Sequence, residues 1–207
     1  IDLVSAHNSL IYNNTLNNQG FGLALVTTNN SIIANNTINS NTYGIDFDGS
    51  SYNNITNLNA NNNTYGIYYF SSPEEGTNSW NYFIDSNISN SVTNDVRLDR
   101  RALDNFFINV SYDISKEYVG RGTSLTRKWY YRAHVVDELG NNVSNGTVEA
   151  YNLLGELIFN ETTDENGWTD ISSLIDYLYY YYNLYGAERV RTYYSNYISV
   201  GWENTTS

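Results

Sequence analysis

One pattern occurs three times in succession between Ile1 and Phe70, and its copies are 22 residues apart. Its clearest part is an aromatic residue followed by Gly and alternating apolar residues, at Phe21–Leu25, Tyr43–Phe47 and Tyr65–Tyr69. Such alternation among Asn, Ser and Thr is the period of strands and turns, not of helices. A fixed step of this length is typical of a solenoid, whose single coils cannot bury their apolar face alone. The sequence therefore predicts a parallel β-helix, which should be right-handed because crossovers between parallel strands almost always are.

Stacked coils place equivalent residues in columns. Four apolar columns are expected to form the dry interior: Ile11, Ile33 and Ile55; Leu23, Ile45 and Ile67; Leu25, Phe47 and Tyr69; Leu16, Ile38 and Ala60. Glycine recurs where the backbone is expected to bend or to adopt a positive φ, at Gly22, Gly44 and Gly66. Asn side chains are expected to hydrogen-bond along further columns, which are Asn13, Asn35 and Asn57; Asn14 and Asn36; Asn41 and Asn63.

The repeat weakens towards the middle of the chain, and the composition then changes. An insertion at residues 71–77 precedes two weaker coils, and Asn105 opens a last partial one, so we expect about four to five coils over residues 1–111. Residues 112–125 are predicted to be a connector. Residues 126–207 alternate short strands with turn signals, a pattern typical of a small β-sandwich. The predicted fold class is all-β: a right-handed parallel β-helix followed by a C-terminal Ig-like β-sandwich.

Two parts of the chain resemble known families. The Asn-x-Ile and Tyr-Gly-Ile coils are similar to the NosD-type right-handed β-helix repeats of archaeal surface proteins. Residues 135–148 (VVDELGNNVSNGTV) are similar to the opening of carboxypeptidase-regulatory-like and related Ig-like surface domains, and Thr163–Trp168 matches their T-D-x-x-G turn. Asn142 replaces the usual Pro of that opening, and one extra residue precedes Gly146. The resemblances imply an archaeal cell-surface protein, although such repeats occur in enzymes, adhesins and wall proteins alike.

Composition excludes several classes of function. The 207 residues include no Cys, so there is no disulfide framework and no thiolate metal site. The net charge is −12 and no Lys or Arg precedes Arg97, which argues against a nucleic-acid partner bound through its phosphates. No apolar run is long enough for a membrane span, and no signal peptide is present. Because Ile1 aligns with the middle of a coil, we expect either a piece of a longer protein or an open coil covered by another molecule.

The motif Asn-x-Ser/Thr occurs eleven times, against about six occurrences expected by chance. Asn13 and Asn35 are better explained as members of an Asn column. Acceptors that carry glycans imply an extracellular or cell-surface location. We expect glycosylation at Asn54, Asn62, Asn87, Asn109, Asn142, Asn145 and Asn160.

Two carboxylates project from one predicted strand, since inward-facing Ile45 and Phe47 place Asp46 and Asp48 on the outer face. Enzymes built on β-helices assemble acids from neighbouring coils. Here no acid, Lys or Arg completes a site, because the neighbours are Ala24, Val26, Tyr68 and Phe70. We therefore expect no enzyme and no cofactor, with at most a weak structural Ca²⁺ contact at Asp46 and Asp48.

Other metal sites are not expected either. The resemblance to NosD invites a copper site, which needs His, Cys or Met ligands. The chain has no Cys or Met, and its two His, His7 and His134, lie in different predicted domains. Asp164, Asn166 and Asp170 suggest a calcium-binding set, but a hairpin turn explains them.

Tyrosines crowd the predicted hairpin near the end of the chain. Alternate members of a strand point to opposite faces, so one set can fill a core while the other is exposed or meets a partner. Aromatic clusters of this size mark interfaces, and stacking platforms for sugars are a second interpretation. We assign the interface to Tyr179, Tyr180, Tyr181, Tyr182, Tyr185, Tyr193 and Tyr194.

These features together predict a non-enzymatic, extracellular structural protein that carries covalent N-glycans. Its partners are expected to be copies of itself, joined head to tail as a filament, sheath or surface layer. The alternative is a polysaccharide-binding or polysaccharide-cleaving β-helix protein, with Tyr68, Tyr69 and Asp46 at the sugar. An adhesin lies between these two functions.

Overall fold

The computed structural model describes residues 1–72, 74–151, 155–184, 187–194 and 199–201, with side chains as far as Tyr179. The chain divides into two compact units, Ile1–Arg127 with Tyr177–Tyr193, and Lys128–Asp176 with Tyr194–Ser207. The described residues are almost all in strands and turns, with one short 3-10 helix at Ile114–Lys116. The strands are β1 (Asp2–Val4), β2 (Leu10–Tyr12), β3 (Thr15–Asn17), β4 (Phe21–Val26), β5 (Ile32–Ala34), β6 (Thr37–Asn39), β7 (Tyr43–Asp48), β8 (Asn54–Thr56), β9 (Asn59–Asn61), β10 (Tyr65–Tyr69), β11 (Tyr82–Ser89), β12 (Asn94–Leu98), β13 (Asn105–Ser111), β14 (Glu117–Val119), β15 (Ser124–Tyr131), β16 (Thr147–Tyr151), β17 (Leu157–Thr162), β18 (Ser172–Leu184), β19 (Ala187–Tyr194) and β20 (Ser199–Gly201).

The first unit is the predicted parallel β-helix, with about six turns rather than four to five. Sheet 1 consists of β1, β4, β7, β10, β12 and β14 in that order, and all its neighbouring strands are parallel. Sheet 2 contains β2, β5, β8, β11 and β13, and it continues through β15 to β18 and β19. A third run, β3, β6 and β9, joins β11. Each early coil therefore contributes three strands, as alternating apolar residues between short turns require.

The four predicted apolar columns are confirmed by the strand register. In sheet 1, Leu25 lies opposite Phe47, which lies opposite Tyr69, and all three side chains are fully buried. The weaker coils extend the columns with Phe83, Phe107 and Leu98. Ile11 and Leu16 are only partly buried, because the first coil has a covering coil on one side. One continuous core runs along the coils.

The glycine column is confirmed, but of its two predicted reasons a positive φ is wrong. Gly22, Gly44 and Gly66 do not have a positive φ. They are required by close approach: a Cβ on Gly44 would lie 2.3 Å from the carbonyl oxygen of Gly66 and 3.0 Å from Asn63 Nδ2. Stacked backbones leave no room for a side chain at this corner of the coil.

One left-handed turn in each of the first three coils is occupied by Asn. The φ angle is 57° at Asn13, 55° at Asn35 and 50° at Asn57. Asn visits this region more readily than most residues, because its short amide can hydrogen-bond locally. Asn57 Nδ2 also donates to Asn35 Oδ1 at 3.0 Å, so this column is both a turn and a partial ladder.

Buried amides form the ladders that the sequence predicts for the other two Asn columns. Asn36 is buried, and its Nδ2 donates to the carbonyl oxygens of Ile11 and Ala34 at 3.0 Å. Its Oδ1 accepts from the backbone N–H and the Nδ2 of Asn14. Asn63 holds Asn41 in the same way. Each buried amide thus satisfies turn backbone groups of its own coil and of the neighbouring coil, which explains why the repeat is rich in Asn.

The Tyr69 hydroxyl is the weak point of this core, since it is buried without a hydrogen-bond partner among the described residues. Burial raises its pKa well above the usual range. We expect Tyr69→Phe to increase the free energy of unfolding by about 1–3 kcal/mol, because it removes an unsatisfied polar atom and keeps the ring. Phe47, stacked on Tyr69 at 4.4 Å, shows that Phe fits this column. Urea denaturation tests this prediction, and a decrease in stability would contradict it.

The last coil lies in residues 112–125, for which the sequence predicted a connector. This segment holds the 3-10 helix, β14 and the start of β15. Arg127 and Glu117 form a buried ion pair there at 3.4 Å, and only 8% of each side chain is exposed. The Tyr112 hydroxyl hydrogen-bonds to Glu117, and the Arg127 guanidinium lies 4.0 Å from the ring centroid of Tyr177. A buried ion pair therefore closes the core at the last coil.

The second unit contains β16 between β17 and β20 in an antiparallel sheet of three strands. Its T-D-x-x-G turn is held by Asp164, whose Oδ1 accepts from the backbone N–H groups of Asn166 and Trp168. These contacts place Asp164 and Asn166 in a tight turn. The Ig-like sandwich stays a prediction.

Candidate functional site

The outer face of sheet 1 combines aromatic and charged side chains, and we name it the aromatic face. It consists of Phe21, Tyr43, Asp46, Asp48, Tyr65, Tyr68, Phe70, Arg97, Asp99 and Tyr118. The parallel register brings these residues together, since Tyr68 lies opposite Asp46 on one side and Arg97 on the other. Arg97 in turn lies opposite Tyr118. The face therefore extends over five neighbouring strands, from β4 to β14.

A stack of three rings forms one edge of the aromatic face. The ring centroids of Phe21 and Tyr43 are 5.1 Å apart, and those of Tyr43 and Tyr65 are 5.3 Å apart, with nearly parallel planes. Tyr68 leans against both Tyr43 and Tyr65 at 5.2 and 5.4 Å. Stacked rings cover one another's faces, so this stack mainly presents ring edges, whereas the tilted Tyr68 interrupts the pattern.

A charged cluster completes the face beyond Tyr68. Asp99 accepts two hydrogen bonds from the Arg97 guanidinium, at 3.0 and 3.1 Å, and one from the Tyr68 hydroxyl at 2.9 Å. The Arg97 Cζ lies 4.7 Å from the ring centroid of Tyr118 and 5.9 Å from those of Tyr65 and Tyr68. Burial and the Asp99 carboxylate raise the pKa of Tyr68, so its hydroxyl stays a donor at neutral pH. Bidentate pairing and ring contacts fix the guanidinium in one orientation.

Asp46 is the least compensated group on the aromatic face. It is half-buried between Ala24 and Tyr68, and no described residue donates a hydrogen bond to its carboxylate. Burial, followed by the nearby charge of Asp48, raises the pKa of Asp46 to about 7. Asp48 is better satisfied, because its Oδ1 accepts from the backbone N–H of Ser72 at 3.1 Å. Near neutral pH, Asp46 can therefore accept or donate a hydrogen bond to a ligand.

The pH dependence of Asp46 is a direct prediction. Because its folded pKa lies above the ordinary 3.8, the folded state binds this proton more tightly than the unfolded state does. The proton on Asp46 therefore makes its full contribution to the stability of the fold below about pH 4, and this contribution is lost as the pH rises to about 7. Carbon-13 NMR should show the Asp46 carboxyl titrating near pH 7, and its midpoint should move to lower pH in Asp48→Asn. In Asp46→Asn, the decrease in stability between pH 4 and pH 7 should disappear. A midpoint near 4 would contradict the prediction.

The sequence located half of this site and missed the other half. Asp46 and Asp48 face outwards beside Tyr68 and Phe70, as predicted. That no acid, Lys or Arg completes a site at Asp46 and Asp48 stays a prediction. Two coils further along, Arg97 and Asp99 occupy the equivalent positions, and the coil of Tyr68 lies between. The signal was present, since Asp95-Val96-Arg97-Leu98 aligns with Gly-Ile-Asp-Phe of the repeat. Tyr69, by contrast, is buried in the core and cannot contact a sugar on this face.

Comparison with known proteins identifies the solenoid. A family model for the right handed beta helix region matches residues 1–111. The chain belongs to this family. No curated protein and no solved structure gives a significant match. Membership of the right-handed beta helix family is compatible with a polysaccharide-binding or polysaccharide-cleaving protein and with a surface protein.

The predicted glycan acceptors of this right-handed beta helix protein differ in the exposure and hydrogen bonding of their side-chain amides. Most are exposed, whereas Asn109 is half-buried. Asn109 Nδ2 donates to Asp85 Oδ1 at 2.7 Å, and Asn160 Nδ2 donates to Glu149 Oε1 at 3.0 Å. The exposed acceptors are Asn54, Asn62, Asn87, Asn142, Asn145 and Asn160.

Metal ligands do not cluster in the part of the chain that the structure describes, where no group of three His, Cys, Asp or Glu could hold an ion. A weak structural Ca²⁺ contact at Asp46 and Asp48 stays a prediction. His134 instead stacks on Trp168 at 4.2 Å. None of the described helices is long and apolar enough to cross a membrane.

The predicted tyrosine interface lies mostly outside the described side chains. Tyr185 falls outside the described residues, and the side chains of Tyr180, Tyr181, Tyr182, Tyr193 and Tyr194 are likewise not described. Tyr179 is half-buried, and its ring lies 6.5 Å from that of Tyr177. Burial raises the pKa of Tyr179.

Proposed function

We propose that this protein binds a polysaccharide along the aromatic face. The observation that carries the proposal is the cluster in which Tyr68, Arg97 and Asp99 are locked together beside Asp46. Sugars combine apolar C–H faces, which pack on aromatic rings, with hydroxyls that hydrogen-bond to carboxylates and guanidinium groups. A site with a few fixed polar groups on an aromatic surface matches both requirements.

The dimensions of the face suit a chain of sugars rather than a single one. Neighbouring strands are about 4.8 Å apart, so the four intervals between β4 and β14 cover about 19 Å. The ligand would lie parallel to the solenoid axis and cross the strands of several coils. Such an extended contact is the natural way for a repeating surface to bind a repeating polymer.

The charges of the face select the class of polysaccharide. Asp46, Asp48 and Asp99 contribute three carboxylates, whereas Arg97 is the one described cation on the face and is already paired with Asp99. The net charge of the chain is −12. A polyuronate or sulfated glycan would be repelled, so the proposed ligand is a neutral or amino-sugar polymer.

A glycan array probed with the full chain tests this proposal. The expected result is binding to neutral or amino-sugar oligosaccharides of several units, with weak binding to their monosaccharides. Signal on acidic glycans alone, or on none, would contradict the proposal. Because salt screens attraction between surface charges, binding of a neutral polymer should persist at high salt, whereas binding of a positively charged amino-sugar polymer should weaken.

Cleavage is a second candidate function, favoured by the raised pKa of Asp46. A carboxyl with a pKa near 7 can serve as a general acid, and Asp48 projects from the same strand two residues further on. Incubation with the bound polysaccharide should then release reducing ends, which Asp46→Asn would abolish. Binding without new reducing ends supports the non-enzymatic function.

Self-assembly on the cell exterior remains a separate proposal. Its support is the tyrosine-rich sequence of β18 and β19, which extend sheet 2. Static light scattering and electron microscopy of the full chain test it directly. A monomer at all concentrations would overturn it without affecting polysaccharide binding.

A further inference from the structure

A column of outward-facing side chains on sheet 2 is apolar except at one position. The register aligns Leu10, Ile32, Asn54, Tyr82 and Phe106 on successive strands. All five face outwards, because the residues that follow them in each strand point into the core. Leu10 is 67% exposed and Ile32 is 50% exposed. Asn54 is thus a polar residue between an exposed Ile32 and a half-buried Tyr82.

The Tyr82 ring has one covered face and one open face. Its centroid lies 4.9 Å from that of Phe106, and the two planes are nearly parallel. This separation equals the distance between neighbouring strands, so the rings stack along the solenoid axis. The second face of Tyr82 therefore points towards the coil of Asn54, whose short side chain cannot cover a ring.

Asn54 is also the first residue of an Asn-Ile-Thr acceptor motif. Its side chain is exposed, and no hydrogen bond engages its amide among the described residues. Thr56 projects from the same side of β8, since residues two apart in a strand share a face. Asn109 and Asn160, by comparison, use their Nδ2 groups in hydrogen bonds to carboxylates.

We propose that Asn54 carries an N-linked glycan whose first sugar packs on the open face of Tyr82 and against Ile32. The donor would be a diphosphate-activated oligosaccharide. A bond forms between its anomeric carbon and Asn54 Nδ2, the bond from that carbon to the diphosphate oxygen breaks, the diphosphate leaves with the electron pair, and Nδ2 loses one proton. The attached sugar then covers apolar surface that the chain itself leaves exposed.

This attachment has an energetic consequence that an ordinary surface glycan lacks. The C–H face of the sugar removes part of Tyr82 and Ile32 from water in the folded state only, so the glycan stabilises the fold. Asn62 is the matched control. It is an exposed acceptor, but it lies in a turn column with Ser40 and Asn90, where no ring is available.

The experiment uses the full chain secreted from a host that performs N-glycosylation. Peptide mass spectrometry measures occupancy at Asn54 and Asn62. Urea denaturation then compares the glycosylated protein with Asn54→Gln and with Asn62→Gln, each in the natural background and in Tyr82→Ser. We expect Asn54 to be occupied and Asn54→Gln to lower the midpoint more in the natural background than in Tyr82→Ser, where only the contact with Ile32 remains. Asn62→Gln should leave the midpoint unchanged in both backgrounds.

Two results would overturn the proposal. One is an unoccupied Asn54. The other is a loss of stability on Asn54→Gln that is equal with Tyr82 and with Ser at position 82, because the sugar would then not contact the ring. The effect of Asn54→Gln is measured separately in each background, so any loss of stability caused by Tyr82→Ser itself cancels.

Discussion

Replacing Glu117 by Gln is expected to lower the free energy of unfolding by about 3–5 kcal/mol. The substitution keeps the shape of the side chain but removes the charge that compensates Arg127. Both side chains of this pair are buried, and the guanidinium lies against Tyr112 and Tyr177. Taking a guanidinium out of water is costly unless a carboxylate accompanies it, so the variant removes a carboxylate from a buried charge and weakens its compensation. Chemical denaturation followed by tryptophan fluorescence measures the loss.

A half-exposed pair on the same solenoid is the control. Arg97 and Asp99 are 3.0 Å apart but retain 29% and 20% side-chain exposure. Water therefore replaces much of what the pair contributes, and Asp99→Asn should cost about 1 kcal/mol or less. Equal losses in Glu117→Gln and Asp99→Asn would show that the end of the core does not depend on its ion pair.

The second large effect is expected at the glycine column. Gly44→Ala should lower the free energy of unfolding by about 3 kcal/mol, at the upper end of the cost of overpacking. The new Cβ would meet the carbonyl oxygen of Gly66 at 2.3 Å, and a backbone atom held in a parallel ladder cannot move aside cheaply. The same urea denaturation curves measure this loss.

Gly20 provides the matched substitution one coil earlier. It precedes the Phe21-Gly22 pair, its φ is not positive, and a Cβ on it would meet nothing within 4 Å. Gly20→Ala should therefore stabilise the protein by about 0.4–1 kcal/mol, because Ala restricts the unfolded chain. A Gly44→Ala variant as stable as Gly20→Ala would mean that the coils do not stack as closely as described.

The coils could be predicted from the sequence because one physical requirement repeats at a constant step. Ile45 must lie over Leu23 and under Ile67, so the same residue type returns every 22 positions. The sequence could not show why Gly44 is a glycine, because Gly is suited both to a left-handed φ and to a close approach of two backbones. Asn35 and its equivalents take the left-handed positions, and only coordinates separate the two causes.

The last coil and half of the aromatic face were missed for two further reasons. Glu117 and Arg127 are charged, and a sequence gives no sign that two such residues will meet and become buried together. Arg97 and Asp99 lie beyond the insertion after Phe70, where the step between equivalent residues of sheet 1 rises from 22, between Asp46 and Tyr68, to 29, between Tyr68 and Arg97. A search at fixed spacing therefore places them off the face that carries Asp46.

Polysaccharide binding is tested most directly by titrating two tyrosine variants with an oligosaccharide that the array identifies. Tyr68 lies in the middle of the aromatic face, whereas Tyr12 is an exposed tyrosine on sheet 2. Calorimetry should show at least about tenfold weaker binding for Tyr68→Ala, equivalent to about 1.4 kcal/mol, and unchanged binding for Tyr12→Ala. Unchanged affinity in Tyr68→Ala, or equal losses in both variants, would contradict binding on the aromatic face.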